Sequence, residues 1–340
     1  MSIAEPRSKL ITYPNILNIG VIDNIDMKDA TFHYGNIYDV TRVTAHATLR
    51  MIFQFQYSEL ANLNDEPLEN QNLFGINFTI EQWQRKIDTI FNELISCGQE
   101  FNIEHVDSAI KKYIDSAPFV SPPNIIILEP GEANEHVHMA ANMFLEDFEY
   151  MENSVLNLAC DEAIYRRMND YENKNQIVHC ILEQWHTNKA MCSALISGFS
   201  GYGLFGLVSY FGVRFLDKLE QIADYRAIFR VLELIWIAVR VAIHLYIQDE
   251  QISINDIPIG NNKLLKVWYN FYQWAGYLKL HKLGIRMANF NLQMNRLLAF
   301  ASLFPATRKI RYTESVARFL LDLQRNPQFL QTLEQYPQLI

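Results

Sequence analysis

Two apolar runs far apart in the chain each close on an aspartate. NILNIGVID ends at Asp23, and SVLNLACD ends at Asp161, just ahead of EAIYRRM with its helical spacing. A carboxylate at the carboxyl end of a central strand is where an open α/β sheet places its chemistry. A spaced pair of them is the least that clamps a divalent metal onto a phosphodiester. The same residues have a plainer use, because an Asp after a strand also starts turns and caps the following helix. The sequence leaves both uses open.

The segments around these runs define a mixed sheet. ILNIGVID, TFHYGNIYDVT and TAHATLRMIFQFQ are rich in β-branched and aromatic residues and predict strands, with turns at Asp26 to Asp29 and around Gly35-Asn36. A strand that feeds a hairpin is antiparallel to its neighbour, so the sheet cannot be purely parallel. The acidic stretch 62–118 has helical spacing in EQWQRKIDTIFNELI and VDSAIKKYI and closes on the breaker run PFVSPP, which marks it as an insertion between sheet elements. After Pro123 the order is strand (NIIIL), Pro-Gly turn, amphipathic helix (ANEHVHMAANMFLEDFEYM), strand (SVLNLAC), helix from Asp161, strand (QIVHCILEQ), then WHTNKAMCSALI. From about residue 190 the pattern is helical, with Gly198, Gly201, Gly203, Gly206 and Gly212 as junctions or close-packing points.

A chain of 340 residues, 49% apolar and 20% charged, can bury a large core as one domain with insertions or as two domains. Cys97, Cys160, Cys180 and Cys192 show no CxxC pairing and sit in or beside apolar runs, as reduced core thiols of an intracellular protein do. MSIAEPRSKL lacks the apolar stretch of a secretory signal, so the expected location is nuclear or cytoplasmic. Residues 190–213 carry no charge over 24 positions, which is long enough to cross a bilayer. The next apolar run, from Val231, carries Glu233, Arg240 and His244, which hydrocarbon penalises. Buried helices rather than a membrane hairpin are therefore expected.

Net charge is −9, but it is segregated: residues 51–163 hold 20 acids and 4 basic residues, whereas 263–325 hold 11 Lys or Arg and only Glu314 and Asp322 as acids. A local excess of that size attracts phosphate backbones, which points to DNA as a partner through Lys279, Lys282, Arg286, Arg308, Lys309 and Arg311. The alternative is that the basic stretch folds against the acidic half of the same protein.

Asp23 and Asp161 are the candidate metal ligands, suited to Mg²⁺ or Mn²⁺, since hard cations take carboxylates and keep waters for substrate phosphates. A third acid is expected from a late helix, where RYTESVARFLLDLQ offers Glu314 in its first turn. His186 in EQWH, at a strand-to-helix junction, is a candidate catalytic imidazole; a structural role is the alternative. His136 and His138, two residues apart, face away from each other on a helix and form no zinc set. No GxSxG, P-loop, GxGxxG or HExxH occurs, which removes the usual hydrolase, nucleotide-binding and zincin signatures.

In order, VIDNID, a hairpin closing on a TAH-like segment, LNLACDEAIYRRM, CILEQWHTNKAM and the late MANFNLQMNRLLAFASLFPATRKIRYTESVARFLLDL resemble the ribonuclease H-like transposase-derived proteins of fungal and animal genomes. The resemblance implies that Asp23 is the first catalytic carboxylate, Asp161 the second and His186 the strand-end histidine, with Tyr312 marking the late helix. It also implies metal-dependent DNA strand cleavage or transfer, or a decayed relic that still binds nucleic acid. Where the family has Gly-Asp-Gln this chain has Cys160-Asp161-Glu162, and where it has Gly-Asp before Trp-His this chain has Glu183-Gln184. The expected fold is thus α/β, a ribonuclease H-like mixed sheet with helices on both faces over 15–340, interrupted by helical insertions at 62–118 and 190–300. Two rivals remain: a non-enzymatic helical interaction protein, and a protein anchored in a membrane through 190–247.

Overall fold

Alternating apolar residues make ILNIGVIDNIDMK a strand, β1 (Ile16–Lys28), whose full length pairs antiparallel with β2 (Thr44–Gln56), from Ile16 opposite Gln56 to Lys28 opposite Thr44. The computed structural model describes residues 6–13, 16–28, 44–56, 78–98, 100–114, 123–128, 137–151, 155–175, 177–213 and 224–335. β3 (Asn124–Ile127) adds to the outer side of β2, antiparallel, while β4 (Leu156–Cys160) and β5 (Val178–Leu182) extend the other side as parallel strands. The sheet is mixed and five-stranded, in the order β3-β2-β1-β4-β5. Every residue of β4 is buried, as expected of a parallel strand covered on both faces.

β1 runs five residues past Asp23, so the turn expected at Asp26 to Asp29 is displaced: Asp26 is still in the ladder, opposite His46. The antiparallel partner carries the strand on, overriding the local turn signal of the two aspartates. The strand expected in TFHYGNIYDVT and the turn at Gly35-Asn36 lie outside the described residues.

The chain divides into two compact units, one of Met1–Asn64, Phe119–Glu183 and Leu339–Ile340, the other of Asp65–Pro118 and Gln184–Gln338. In the first, α3 (Val137–Tyr150) lies against the β1–β2–β4 sheet and α4 (Glu162–Lys174) links β4 to β5. α3 brings Asp147 to two arginines: Arg50 of β2, which also lies over the Phe144 ring, and Arg7 at 2.8 Å. Asp147 and Arg50 are both almost wholly buried, so each charge depends on the other for its solvation. Gln54, also buried, accepts from the Ile11 amide at 2.9 Å and donates to Asn18 at 2.8 Å, tying the N-terminal segment to the sheet.

The second unit gathers the acidic segment with the later helices: α1 (Phe78–Ser96), α2 (Ile103–Lys111), α5 (Gln184–Phe199), α6 (Leu204–Tyr210), α7 (Tyr225–Asp249), α8 (Lys263–Arg286), α9 (Phe290–Phe300), α10 (Leu303–Ala306), α11 (Ile310–Arg325) and α12 (Pro327–Gln335). Asn102, Asp224, Asn262 and Asn289 cap α2, α7, α8 and α9 through side-chain oxygens. Phe91 of α1 packs edge-on against Trp236 of α7, with centroids 5.0 Å apart, and Trp236 donates to the Tyr272 carbonyl of α8 at 3.0 Å. Gly284 permits the close α8–α9 turn, since a Cβ there would come within 2.8 Å of the Gln293 side chain.

Three charged groups of the apolar helices find partners inside this unit. Lys279 of α8 sits between Asp107 of α2 and Glu233 of α7, and Arg240 of α7 meets Asp88 of α1 at 3.4 Å and the Asn92 amide oxygen at 2.7 Å. The run 190–213 is broken between α5 and α6, which bend by 100° as a pair; no single described helix is long and apolar enough to cross a membrane. All four cysteines are free, and Cys97 is exposed at the end of α1 rather than in the core as expected.

Two stability predictions follow from this packing. A Cβ at Gly20 would stand 3.0 Å from Leu158 and 3.2 Å from Phe144, so Gly20→Ala should lower unfolding free energy by about 1–2 kcal/mol in urea titrations, and Phe144→Leu in the same chain should return part of it. Lys279→Met leaves two carboxylates without their cation and should cost roughly 3–5 kcal/mol, whereas adding Asp107→Leu and Glu233→Leu should recover most of the denaturant midpoint.

Candidate metal centre and nucleic-acid interface

The parallel register that joins β1, β4 and β5 ends in one line across the sheet, Ile22 beside Cys160 beside Leu182, all buried. The next residue on each strand is an acid: Asp23, Asp161 and Glu183. The Glu183 amide donates to the Cys160 carbonyl at 3.0 Å, carrying the β4–β5 ladder to the acids themselves. Each of these acids thus stands one residue past the last parallel-paired position, and all three are partly buried. Asp161 and Glu183 act on the Cys160 thiol, whose pKa is pushed well up by burial first, then by Asp161, Glu172 and Glu183.

Asp161 serves both uses that its sequence position allows. With extended dihedrals (φ −64°, ψ 169°) it is the N-cap of α4, and its Oδ1 accepts from the Ile164 amide at 2.8 Å. Oδ2 remains for an ion. Asp23 and Asp161 suit one hard divalent cation, which takes one or two carboxylates and fills its other octahedral positions with water or phosphate oxygens. A two-ion site needs more ligands, and among the described residues no group of three or more His, Cys, Asp or Glu side chains is placed to hold a metal ion.

The other two expected catalytic residues belong to the second unit. His186 is the third residue of α5, its ring edge-on to Trp185 at 4.6 Å, and its carbonyl accepts from the Tyr312 hydroxyl at 3.4 Å. Glu314 is exposed and stands fifth in α11, because that helix begins at Ile310; the first-turn placement is therefore corrected to the second turn. Neither unit by itself holds all four. His138 is engaged elsewhere, on the Arg167 carbonyl at 3.0 Å, and His136 lies outside the described residues.

The basic stretch divides by burial. Arg286, Arg308 and Arg311 are exposed. Lys309 is half-buried and donates to the Ser193 hydroxyl at 2.7 Å. Lys282 lies over the Phe229 ring, 3.3 Å from its centroid, and burial lowers its pKa to about 8 against the opposing pull of Glu233. Lys279 is 4% exposed and already neutralised by two acids, so it cannot reach a phosphate. Arg296 is wholly buried between Trp83 and Tyr277, a further cation that a count of charges over 263–325 includes and the surface does not.

A buried polar chain escaped the sequence reading. His281 of α8 bridges Gln184, at 3.0 Å from Nε2, and Asn188, at 2.8 Å from Nδ1, and Tyr225 donates to Asn188 at 2.6 Å. Gln184, Asn188 and His281 are fully buried. An amide on either side fixes the neutral imidazole, with Nε2–H donating to Gln184 Oε1 and Nδ1 accepting from Asn188 Nδ2. Gln184 stands where the resembled family has an acid, and here it is a structural hydrogen-bond partner. The only signal in the sequence was a string of polar residues, Gln184, Thr187 and Asn188, on the face of a helix that is otherwise apolar.

Burial lowers the pKa of His281 from 6.5 to about 3, so the unfolded chain takes up a proton that the folded chain refuses. Its stabilising effect is present above pH 6.5 and is lost as pH falls toward 3. Between pH 6.5 and 5 the native protein should lose stability with a slope that steepens toward about one proton, roughly 1 kcal/mol per pH unit on average, beyond that of His281→Asn, measured as urea unfolding free energies of the two proteins side by side.

No family model, no curated protein and no solved structure matches the chain.

Proposed function

We propose that the first unit is a ribonuclease H-like, transposase-derived core that holds Mg²⁺ or Mn²⁺ on Asp23 and Asp161 and cleaves or transfers DNA strands. The observation that supports the reading is the parallel pairing of β1 with β4, whose last paired residues, Ile22 and Cys160, are each followed by one of the two aspartates. The mixed sheet, with an antiparallel pair on one side of β1 and a parallel pair on the other, agrees with it. The bound cation supplies Lewis-acid activation for in-line attack at phosphorus. Asp23 contributes a carboxylate from inside a long, doubly paired strand, and Asp161 one whose orientation is fixed by the α4 cap; both are pre-set before an ion arrives. Exposed Arg286, Arg308 and Arg311 supply the phosphate contacts of DNA binding.

A second reading, a relic that binds nucleic acid without cutting it, is favoured by Gln184, an amide committed to His281 where an acid is expected. One experiment separates the two. Asp161→Asn keeps an oxygen to cap Ile164 while removing the charge, so it should fold with an unchanged melting temperature. If the core is active, Mn²⁺-dependent nicking of supercoiled plasmid falls at least a hundredfold in Asp161→Asn and in Asp23→Asn. Equal nicking by both variants and the native chain would refute the metal site. In both readings, Arg286→Ala with Arg308→Ala and Arg311→Ala should flatten the salt dependence of DNA binding by about 0.9 per lost phosphate contact. Absence of DNA binding by the native chain at low salt would refute both.

A further inference from the structure

A groove of about 490 Å³ opens in the second unit between α6, α7 and α8. Leu207 and Trp268 line it, and Ala238 and Ala242, one turn apart on α7 and both exposed, leave room where larger side chains would fill it. Among the described residues no charged side chain lines it. The size lies within the range of small-molecule sites, roughly 300–1,000 Å³, and such sites are mostly apolar with a few placed polar groups.

The polar corner is built from two residues. Asn262 caps α8, its Oδ1 accepting from the Leu265 amide at 3.0 Å, which fixes its amide plane and aims Nδ2 at the Tyr246 hydroxyl, 3.0 Å away. The Tyr246 oxygen is therefore an acceptor in this pair, and its own O–H proton has no acceptor among the described residues. A hydroxyl held in this way donates to whatever acceptor enters the groove.

We infer that this groove binds a small, uncharged, largely apolar molecule that carries one hydrogen-bond acceptor, of the class of a long-chain ketone, aldehyde or ester. The chain lies along Ala238, Ala242 and Trp268, and its carbonyl oxygen accepts from Tyr246. A fatty acid anion of the same length is disfavoured, because its carboxylate would lose water against walls that offer no cation among the described residues. The site is independent of the metal reading, since its assay needs neither metal nor DNA.

Nile red, an uncharged dye with a ring carbonyl, tests this on the full chain. It should bind saturably at one site, and 2-undecanone should displace it at least tenfold more effectively than undecanoate. Ala242→Trp and, as a second filling variant, Ala238→Phe replace exposed residues and should abolish binding with little change in melting temperature. Tyr246→Phe should weaken the ketone about five- to tenfold, the effect of one hydrogen bond. Absence of saturable binding, equal competition by undecanoate, or dye binding that survives both filling variants would overturn the inference.

Discussion

The Lys279 ammonium, between Asp107 and Glu233, constrains how the helices of this unit can pack. It is drawn from the middle of α8 and 4% exposed, so its burial costs several kcal/mol unless both carboxylates are present. Asp107 comes from the acidic segment and Glu233 from α7, so the cation can be satisfied only when three helices distant in sequence have met. Hydrophobic burial would tolerate several ways of packing these helices. A desolvated charge tolerates one, and the Arg240–Asp88 pair imposes the same demand a few turns away on α7 and α1.

That requirement recasts the meaning of the charge segregation. The excess of basic residues over 263–325 and of acids over 51–163 looks like an external electrostatic footprint when summed along the chain. In the folded unit part of it is internal: Lys279 is matched to Asp107 and Arg318 to Asp322 at 3.5 Å. What remains outward is a smaller set around the ends of α8 and α11, and only that set can steer a polyanion. The alternative in which the basic stretch folds against the acidic half is thus met by Lys279.

Strand and helix types were legible because the two periods differ: ILNIGVID alternates and EAIYRRM does not, and the Asp161 cap stands at the border between them. Spacing alone does not give the adjacency of the Asp23 and Asp161 strands, because β2, β3 and α3 stand between β1 and β4 in the chain. The length of β1 was not legible, because Asp23 and Asp26 read locally as turn residues and only the partner strand β2 decides otherwise. Nor was the burial of Lys279 or Gln184 legible: a single side chain's solvation is set by elements a hundred residues away.

Asp23 and Asp161 are fixed by different means. Asp161 accepts from the Ile164 amide at the α4 terminus, where the helix dipole favours a negative charge. Asp23 stands opposite Leu49 inside the β1–β2 ladder, so its backbone is held by strand pairing. One carboxylate is thus oriented by its own side-chain hydrogen bond and the other by the register of a strand, and it is the partner β2, not the local sequence, that sets the second.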